Sequence, residues 1–275
     1  MKKHHLSALC LAFAAALFSF DESFAEGAST SAHIEHASAT LIVGPERSDG
    51  TVRAAINLEL AEGFKTYWHV PGDGGIPPII KAQGELVSVL LPPPQRFQDQ
   101  YGEALGYEKT ASLAMVLPAP ASRELELDMI VGVCAEICIP FIATLKADVP
   151  DALMPRTQFA LDDVFDALPL PFSDELKVVS AQLADDTEHG VTLRVELDVA
   201  KELKDDLAVY ARLPDGEEFF PRAASFRQIG TQTVARFEVT TPLTAEELAG
   251  RDAVFTLVAQ GDSGTRSVEG VVSLR

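Results

Sequence analysis

Short runs of alternating or β-branched residues, separated by clusters of turn-forming residues, set the limits on what this chain can fold into. They are Ala32–Val43, Thr51–Leu60, Leu86–Leu91, Ala111–Leu117, Leu125–Val133 and Phe141–Val149, then Leu176–Leu183, Val191–Val199, Leu207–Leu213, Gln232–Thr240, Val254–Gln260 and Ser267–Leu274. A period of two sends one side of a strand into a core and the other to solvent. Gly44-Pro45, Pro71-Gly72-Asp73-Gly74-Gly75, Pro92-Pro93-Pro94 and Pro214-Asp215-Gly216 supply the chain reversals. Many short strands without long helices between them predict an all-β protein built from antiparallel, immunoglobulin-like β-sandwiches.

Between the two groups of runs the pattern changes. In residues 151–172, Thr157 is placed to cap a short helix with Leu161, Val164, Phe165 and Leu168 on one face, and Pro169 and Pro171 stop it. The expected organisation is therefore a first sandwich at 26–150, a linker helix at 151–172 and a second sandwich at 173–275. Thr244 to Leu248 can form one helical turn. The second half holds no cysteine and no clustered ligand residues, so it reads as a scaffold or docking module.

The N-terminus has the form of a secretory signal peptide over residues 1–25. Lys2 and Lys3 precede an apolar stretch, Leu6 to Phe20, and Ser23-Phe24-Ala25 offers a small-x-small cleavage site. Cleavage would remove Cys10 along with two cations and two anions, so the formal charge of -19 is unchanged. So acidic a surface repels phosphate backbones and argues against nucleic acid as a partner. No later stretch approaches the ~18 apolar residues of a membrane span. A soluble periplasmic protein is expected, in a compartment where disulfides persist.

That leaves Cys134 and Cys138 as the cysteines of the mature chain. They lie between two strand patterns, where roughly 13 Å of extended chain would separate them. A disulfide needs Cα atoms within about 4.4–6.8 Å, so pairing requires the chain to reverse, as at a hairpin tip. A ring this small limits the unfolded chain by only about 2 kcal/mol, and a domain of this size has no need of such a staple. A dithiol that cycles is favoured over a permanent structural disulfide, which stays open as an alternative. Glu136 between the cysteines works against the thiolate form.

Arg96-Phe97-Gln98-Asp99-Gln100-Tyr101-Gly102, then Tyr107, then Cys134 and Cys138-Ile139-Pro140, resemble the periplasmic N-terminal domain of the thiol:disulfide interchange protein DsbD family. Tyr67-Trp68 followed by Pro71-Gly72-Asp73-Gly74-Gly75-Ile76-Pro77-Pro78 is similar to its ScsB-like branch. The resemblance covers about residues 30–150 and implies a thiol:disulfide oxidoreductase. Electrons would come from a membrane-embedded thiol reductase and pass to periplasmic thioredoxin-fold or other thiol proteins. It also implies that Cys134 and Cys138 are the redox pair, with Cys138 exchanging with partners. Asp99, Gln100, Tyr101 and Gly102 would be a cap loop, and Tyr67 a neighbour of the cysteines. The cysteines stand closer together here than in the best-known members. Gln100 replaces a phenylalanine, leaving Phe97 or Tyr101 as the shielding side chain.

No cofactor is expected. The Pro71–Pro78 loop lacks the Lys-Ser/Thr and following helix of a phosphate cradle, and packing around Trp68 is its expected use. Two thiolates would also suit Cu(I), which makes copper binding by Cys134 and Cys138 an alternative reading. His33 and His36, read as facing opposite sides of one strand, make a poor metal pair, and His69 and His189 have no spacing that recommends them.

Overall fold

A computed structural model describes residues 30–99, 102–203, 205–261 and 264–275; the expected signal peptide lies outside the described residues. From Ser31 to Asp148 the strands are β1 (Ser31–Ile34), β2 (Ala37–Val43), β3 (Thr51–Leu60), β4 (Lys65–Gly72), β5 (Ile79–Ala82), β6 (Glu85–Leu86), β7 (Gln95–Asp99), β8 (Gly102–Glu108), β9 (Thr110–Pro118), β10 (Glu124–Cys134) and β11 (Cys138–Asp148). They form two facing sheets. One has the order β1-β2-β3-β9, the other β6-β5-β10-β4-β8-β7, with β11 pairing β10.

The alternation in β10 shows why. Leu125, Leu127, Met129, Val131 and Val133 are buried in the core, where Trp68, Phe141, Leu105, Ile56 and Met115 also pack. The intervening Glu126 and Asp128 face outward toward their register partners Lys146 and Thr144, and the Thr144 hydroxyl donates to Asp128 at 2.6 Å. A one-residue slip would bury those carboxylates, so the apolar pattern fixes the register.

The second half forms another sandwich of mainly antiparallel sheets, with Leu170–Pro171 pairing in parallel with Gly264–Ser273, around its own core, which includes Leu193, Val195, Phe219, Phe237, Phe255 and Leu257. One sheet orders Leu170–Pro171, Gly264–Ser273, Asp252–Gly261 and Asp205–Arg212. The other orders Leu176–Thr187, Gly190–Val199, Gln232–Thr240 and Phe220–Pro221, and Ser225–Ile229 also pairs with Gln232–Thr240. The expected turn at Thr244 is a complete capping box, with Glu247 as the reciprocal partner.

Several sequence expectations are corrected. Ala32–Val43 is a hairpin rather than one strand, with the turn at Glu35-His36 and His33 opposite Ser38. Leu86–Leu91 contributes only the end of β6 and one bridge from Leu90 to Ala114. The helix α1 spans Pro155–Asp166. Its cap is Met154 with no side-chain hydrogen bond, and Thr157 lies inside the first turn. Pro155 opens it, because a fixed φ and a missing N–H cost nothing there. Leu161 and Val164 are buried against Ile42, Ala55 and Ala114, with Phe165 and Leu168 partly buried beside them. The small Ala55 and Ala114 let the helix lie on the outer face of β3 and β9, so α1 packs against the first sandwich instead of hanging between the two.

The sandwiches also touch each other. Tyr210 and Phe220 from the second half are buried in the first half's core, and the Trp68 and Tyr210 rings lie 5.9 Å apart.

Candidate functional site

The β10–β11 ladder runs without a bulge from Glu124↔Asp148 to its last pair, Cys134↔Cys138. Across the turn, Ala135 N–H donates to the Ile137 carbonyl at 3.3 Å. The two sulfurs are bonded at 2.04 Å, with Cα atoms 4.1 Å apart. The disulfide sits at a hairpin tip because the core pattern holds both strands in register up to the turn.

Since Val131 and Val133 point into the core, Gly132 and Cys134 point out of the opposite face. Directly paired residues share a face. Cys134 pairs with Lys65 of β4; Tyr67 pairs with Gly106 of β8; Ala104 of β8 pairs with Phe97 of β7. That one surface therefore carries Cys134, Lys65, Tyr67, Ala104 and Phe97. Tyr67, Ala104 and Cys134 are buried there, with Cys138 only partly covered beside them.

Three glycines make room for this arrangement. A Cβ on Gly106 would lie 2.0 Å from the Thr66 carbonyl, one on Gly132 3.0 Å from Ile76 Cβ, and one on Gly75 2.4 Å from the Tyr67 ring. Tyr67 lies between the sheet and the Asp73–Ile76 segment, which returns over it. The Tyr67 hydroxyl is 3.5 Å from Cys138 Sγ, and the Gly74 carbonyl oxygen approaches the same sulfur at 3.4 Å. In the disulfide this sulfur carries no proton, and once reduced its thiol can donate to Gly74. The Pro71–Pro78 loop thus covers Tyr67 and Cys138. Its expected packing around Trp68 is corrected, because Trp68 points from β4 into the opposite, core side.

The remaining expected residues are distributed as follows. Phe97 shares the site's face, with Lys65 Nζ 5.6 Å from its ring centre. Asp99 ends β7 paired with Gly102, and Gln100 and Tyr101 lie outside the described residues. Glu136 is exposed in the turn. Tyr107 belongs to the core side; burial, then Tyr210 and Glu269, raises its phenol well above the ordinary range, and its hydroxyl donates to the Pro92 carbonyl at 2.6 Å.

His36 stacks on Phe64 at 4.2 Å. His69 lines a cleft of about 410 Å³ between the sandwiches, with Arg212 and Phe220. Burial first, and then the positive Arg212, lower its imidazole to about 3. Among the described residues, no group of three or more His, Cys, Asp or Glu gathers to hold a metal ion.

The sequence reading missed two features of the site. Lys65 is the cross-strand neighbour of Cys134, whereas near the cysteines in sequence the first cation is Lys146. Asp73 and Glu103 meet Arg222 of the second sandwich. Lys65 stands at the edge of the Tyr67-Trp68 motif, but its placement depends on which strands pair.

Comparison with known proteins agrees with this geometry. The family described as thiol:disulfide interchange protein DsbD, N-terminal, matches residues 36–150. Curated protein sequences return no match. Among solved structures, the N-terminal periplasmic domain of ScsB from Proteus mirabilis superposes with a TM-score of 0.72 at 20% identity, over 90% of this chain and 99% of that one. At that identity the likeness concerns the fold. With its Cys134–Cys138 disulfide at the hairpin tip of an immunoglobulin-like sandwich, the segment 36–150 is similar to the DsbD N-terminal domain, a family related to thiol:disulfide interchange.

Proposed function

We propose that the protein is a periplasmic thiol:disulfide exchange carrier. Its Cys134/Cys138 dithiol takes electrons from a membrane-embedded thiol reductase and delivers them to thioredoxin-fold or other thiol proteins. The observation that carries this reading is the asymmetry of the pair: Cys134 is 1% exposed, whereas Cys138 is only half-buried. Exchange requires one sulfur that a partner can reach and a second that waits behind it.

In the reduced protein, the Cys138 thiolate attacks one sulfur of a partner disulfide. The partner's S–S bond breaks, and its other sulfur leaves as a thiolate and takes up a proton. Cys134, deprotonated, then attacks Cys138 Sγ and expels the second partner sulfur, which is protonated in turn. The partner gains two electrons and two protons, and the carrier is left as the disulfide described above. A donor dithiol reverses these steps. The Tyr67 hydroxyl, 3.5 Å from Cys138 Sγ, can donate to that sulfur whenever it is anionic, and Lys65 supplies a positive charge beside Cys134. Among the described residues no helix is long and apolar enough to cross a membrane.

The test is trapping with Cys134→Ala and Cys138→Ala in periplasmic extract. Cys134→Ala keeps the reachable sulfur without its resolving partner and is expected to accumulate mixed disulfides, while Cys138→Ala accumulates few. If neither variant traps partners and the wild-type disulfide stays inert to a reduced thioredoxin-like donor, the reading fails. Thiols of the reduced protein that Cu(I) protects from alkylation would point to copper instead.

A further inference from the structure

We infer that Arg222, in the second sandwich, is a positioning residue for exchange at Cys138, because it clamps the segments on both sides of the disulfide's face. The inference rests on the exchange reading and assigns a role to a half of the chain that carries no cysteine.

Arg222 grips Asp73 with both ends of its guanidinium, at 3.0 Å to Oδ2 and 2.9 Å to Oδ1, and also reaches Glu103 Oε2 at 3.5 Å. Its own position is fixed from the second sandwich. Nε donates to the Thr240 hydroxyl at 3.0 Å, its backbone N–H to the Glu238 carbonyl at 2.8 Å, and the guanidinium stacks 4.7 Å over the Phe220 ring. Bidentate charge-assisted pairs of this kind fix geometry as well as contribute energy.

The two carboxylates sit at the roots of the segments around the disulfide. Asp73 directly precedes Gly74, whose carbonyl meets Cys138 Sγ, and Gly75, which lies against Tyr67. Asp73 Oδ2 also accepts the Glu103 N–H at 3.0 Å, and Asp73 N–H donates to the Glu103 carbonyl at 3.2 Å. This binds the start of β8 to the same point. Gly102 has φ +121°, and a Cβ there would meet Asp73 Oδ2 at 2.2 Å, so glycine is required where the β7–β8 hairpin returns. Arg96 of β7 completes the cluster through an ion pair with Glu103. Arg222 therefore holds the Asp73–Ile76 cover and the base of the β7–β8 hairpin together, and release of that hold exposes Cys138.

The experiment follows reduction of the Cys134–Cys138 disulfide in the full chain by reduced glutathione. A glutathione thiolate attacks Cys138 Sγ and Cys134 leaves as thiolate. A second glutathione then attacks the glutathione sulfur of the mixed disulfide, releasing Cys138 and glutathione disulfide. Arg222→Ala is expected to raise the second-order rate about tenfold, from loss of a charge-assisted pair. Arg222→Lys, which keeps the charge and loses the fork, should fall between that variant and wild type. Asp73→Asn should also speed reduction, and Asp73→Asn combined with Arg222→Ala should be no faster than the faster single variant, because both remove one link. Arg251→Ala breaks comparable ion pairs to Asp215 and Glu217 elsewhere in the second sandwich and should leave the rate unchanged.

A rate for Arg222→Ala within twofold of wild type overturns the inference. So does an equal rise in Arg251→Ala, which would indicate general loosening. If Arg222→Ala does not fold, Arg222→Lys and Asp73→Asn carry the same test. Because glutathione needs no docking surface, failure to trap protein partners would sink the exchange reading without altering this rate comparison.

Discussion

Gly75→Ala is the sharpest local probe of the cover over Cys138. The backbone at Gly75 is open to alanine, as no left-handed φ constrains it, so the effect is purely steric. The added Cβ would stand 2.4 and 2.5 Å from Tyr67 Cδ1 and Cε1 and 2.6 Å from Pro71 Cβ, against the ~3.5–4.0 Å at which carbon atoms rest. Tyr67 cannot withdraw, because it is 3% exposed and rests on a strand whose partner Gly106 already lies against backbone. The segment must therefore lift by about 1 Å, carrying the Gly74 carbonyl away from Cys138. Overpacking of this size costs about 1–3 kcal/mol. Confined to the loop, about 2 kcal/mol raises the ratio of open to closed cover roughly thirtyfold. Time courses of glutathione reduction, quenched by alkylation and read by mass, should show the rate rising by up to that factor with the unfolding midpoint nearly constant. An unchanged rate refutes the reasoning. If the unchanged rate is joined to a loss of ~2 kcal/mol in global stability, the strain lies in the sandwich and not in the cover.

Two further outcomes follow from buried side chains. His69 is held at about 3 in the folded chain against ~6.5 unfolded. As pH falls below ~6.5 the unfolded chain gains a proton that the folded chain refuses, so stability drops toward acid by about 2 kcal/mol between pH 6.5 and 4.5. His69→Gln should flatten that part of the stability profile, and denaturant titrations of the two proteins with the same slope would contradict the assignment. Leu161→Ala should cost about 2–4 kcal/mol in urea unfolding, because the side chain is 2% exposed against the first sandwich; a loss under ~0.5 kcal/mol would mean that α1 is a free linker after all.

The strands that the sequence made legible are those with one dry face and one wet face. β3, β9, β10 and β11 alternate, and each lies within two or three residues of its expected span. β4 and β8 do not alternate, because both of their faces are buried where the Asp73–Ile76 segment folds back over them: Tyr67, Trp68, Ala104, Leu105 and Tyr107 are all buried. Gly72, which admits close backbone approach, reads in sequence as part of a turn. The β1–β2 reversal at Glu35-His36 contains neither glycine nor proline, so alternation carried the reading straight through it. At the site, the cysteines and Tyr67 were visible as motif residues. Lys65 beside Cys134, Gly74 beside Cys138 and Arg222 on Asp73 depend on contacts 64 to 149 residues apart, which no local pattern encodes.

The contact between the sandwiches bears on why a cysteine-free half accompanies the disulfide. β4 and β8 carry Tyr67 and Ala104 on the disulfide's face, and farther along the same pair Gly72 sits against Ala104 and against the Phe220 ring, where a Cβ would come within 2.9 Å of either. The regular pairing of these strands breaks between Tyr67 and Gly72. The strand segment next to the second sandwich is thus joined to the disulfide's face through an irregular stretch and not a continuous ladder. An irregular stretch yields more readily than a ladder, because fewer backbone hydrogen bonds must be broken together. A partner that shifts Phe220 or Arg222 by binding the second sandwich would displace Gly72 and Asp73 before it disturbed the β10–β11 hairpin. The cover over Cys138 would open while the disulfide itself stayed in place, and under the proposed exchange function docking on one sandwich would then be linked to exchange on the other.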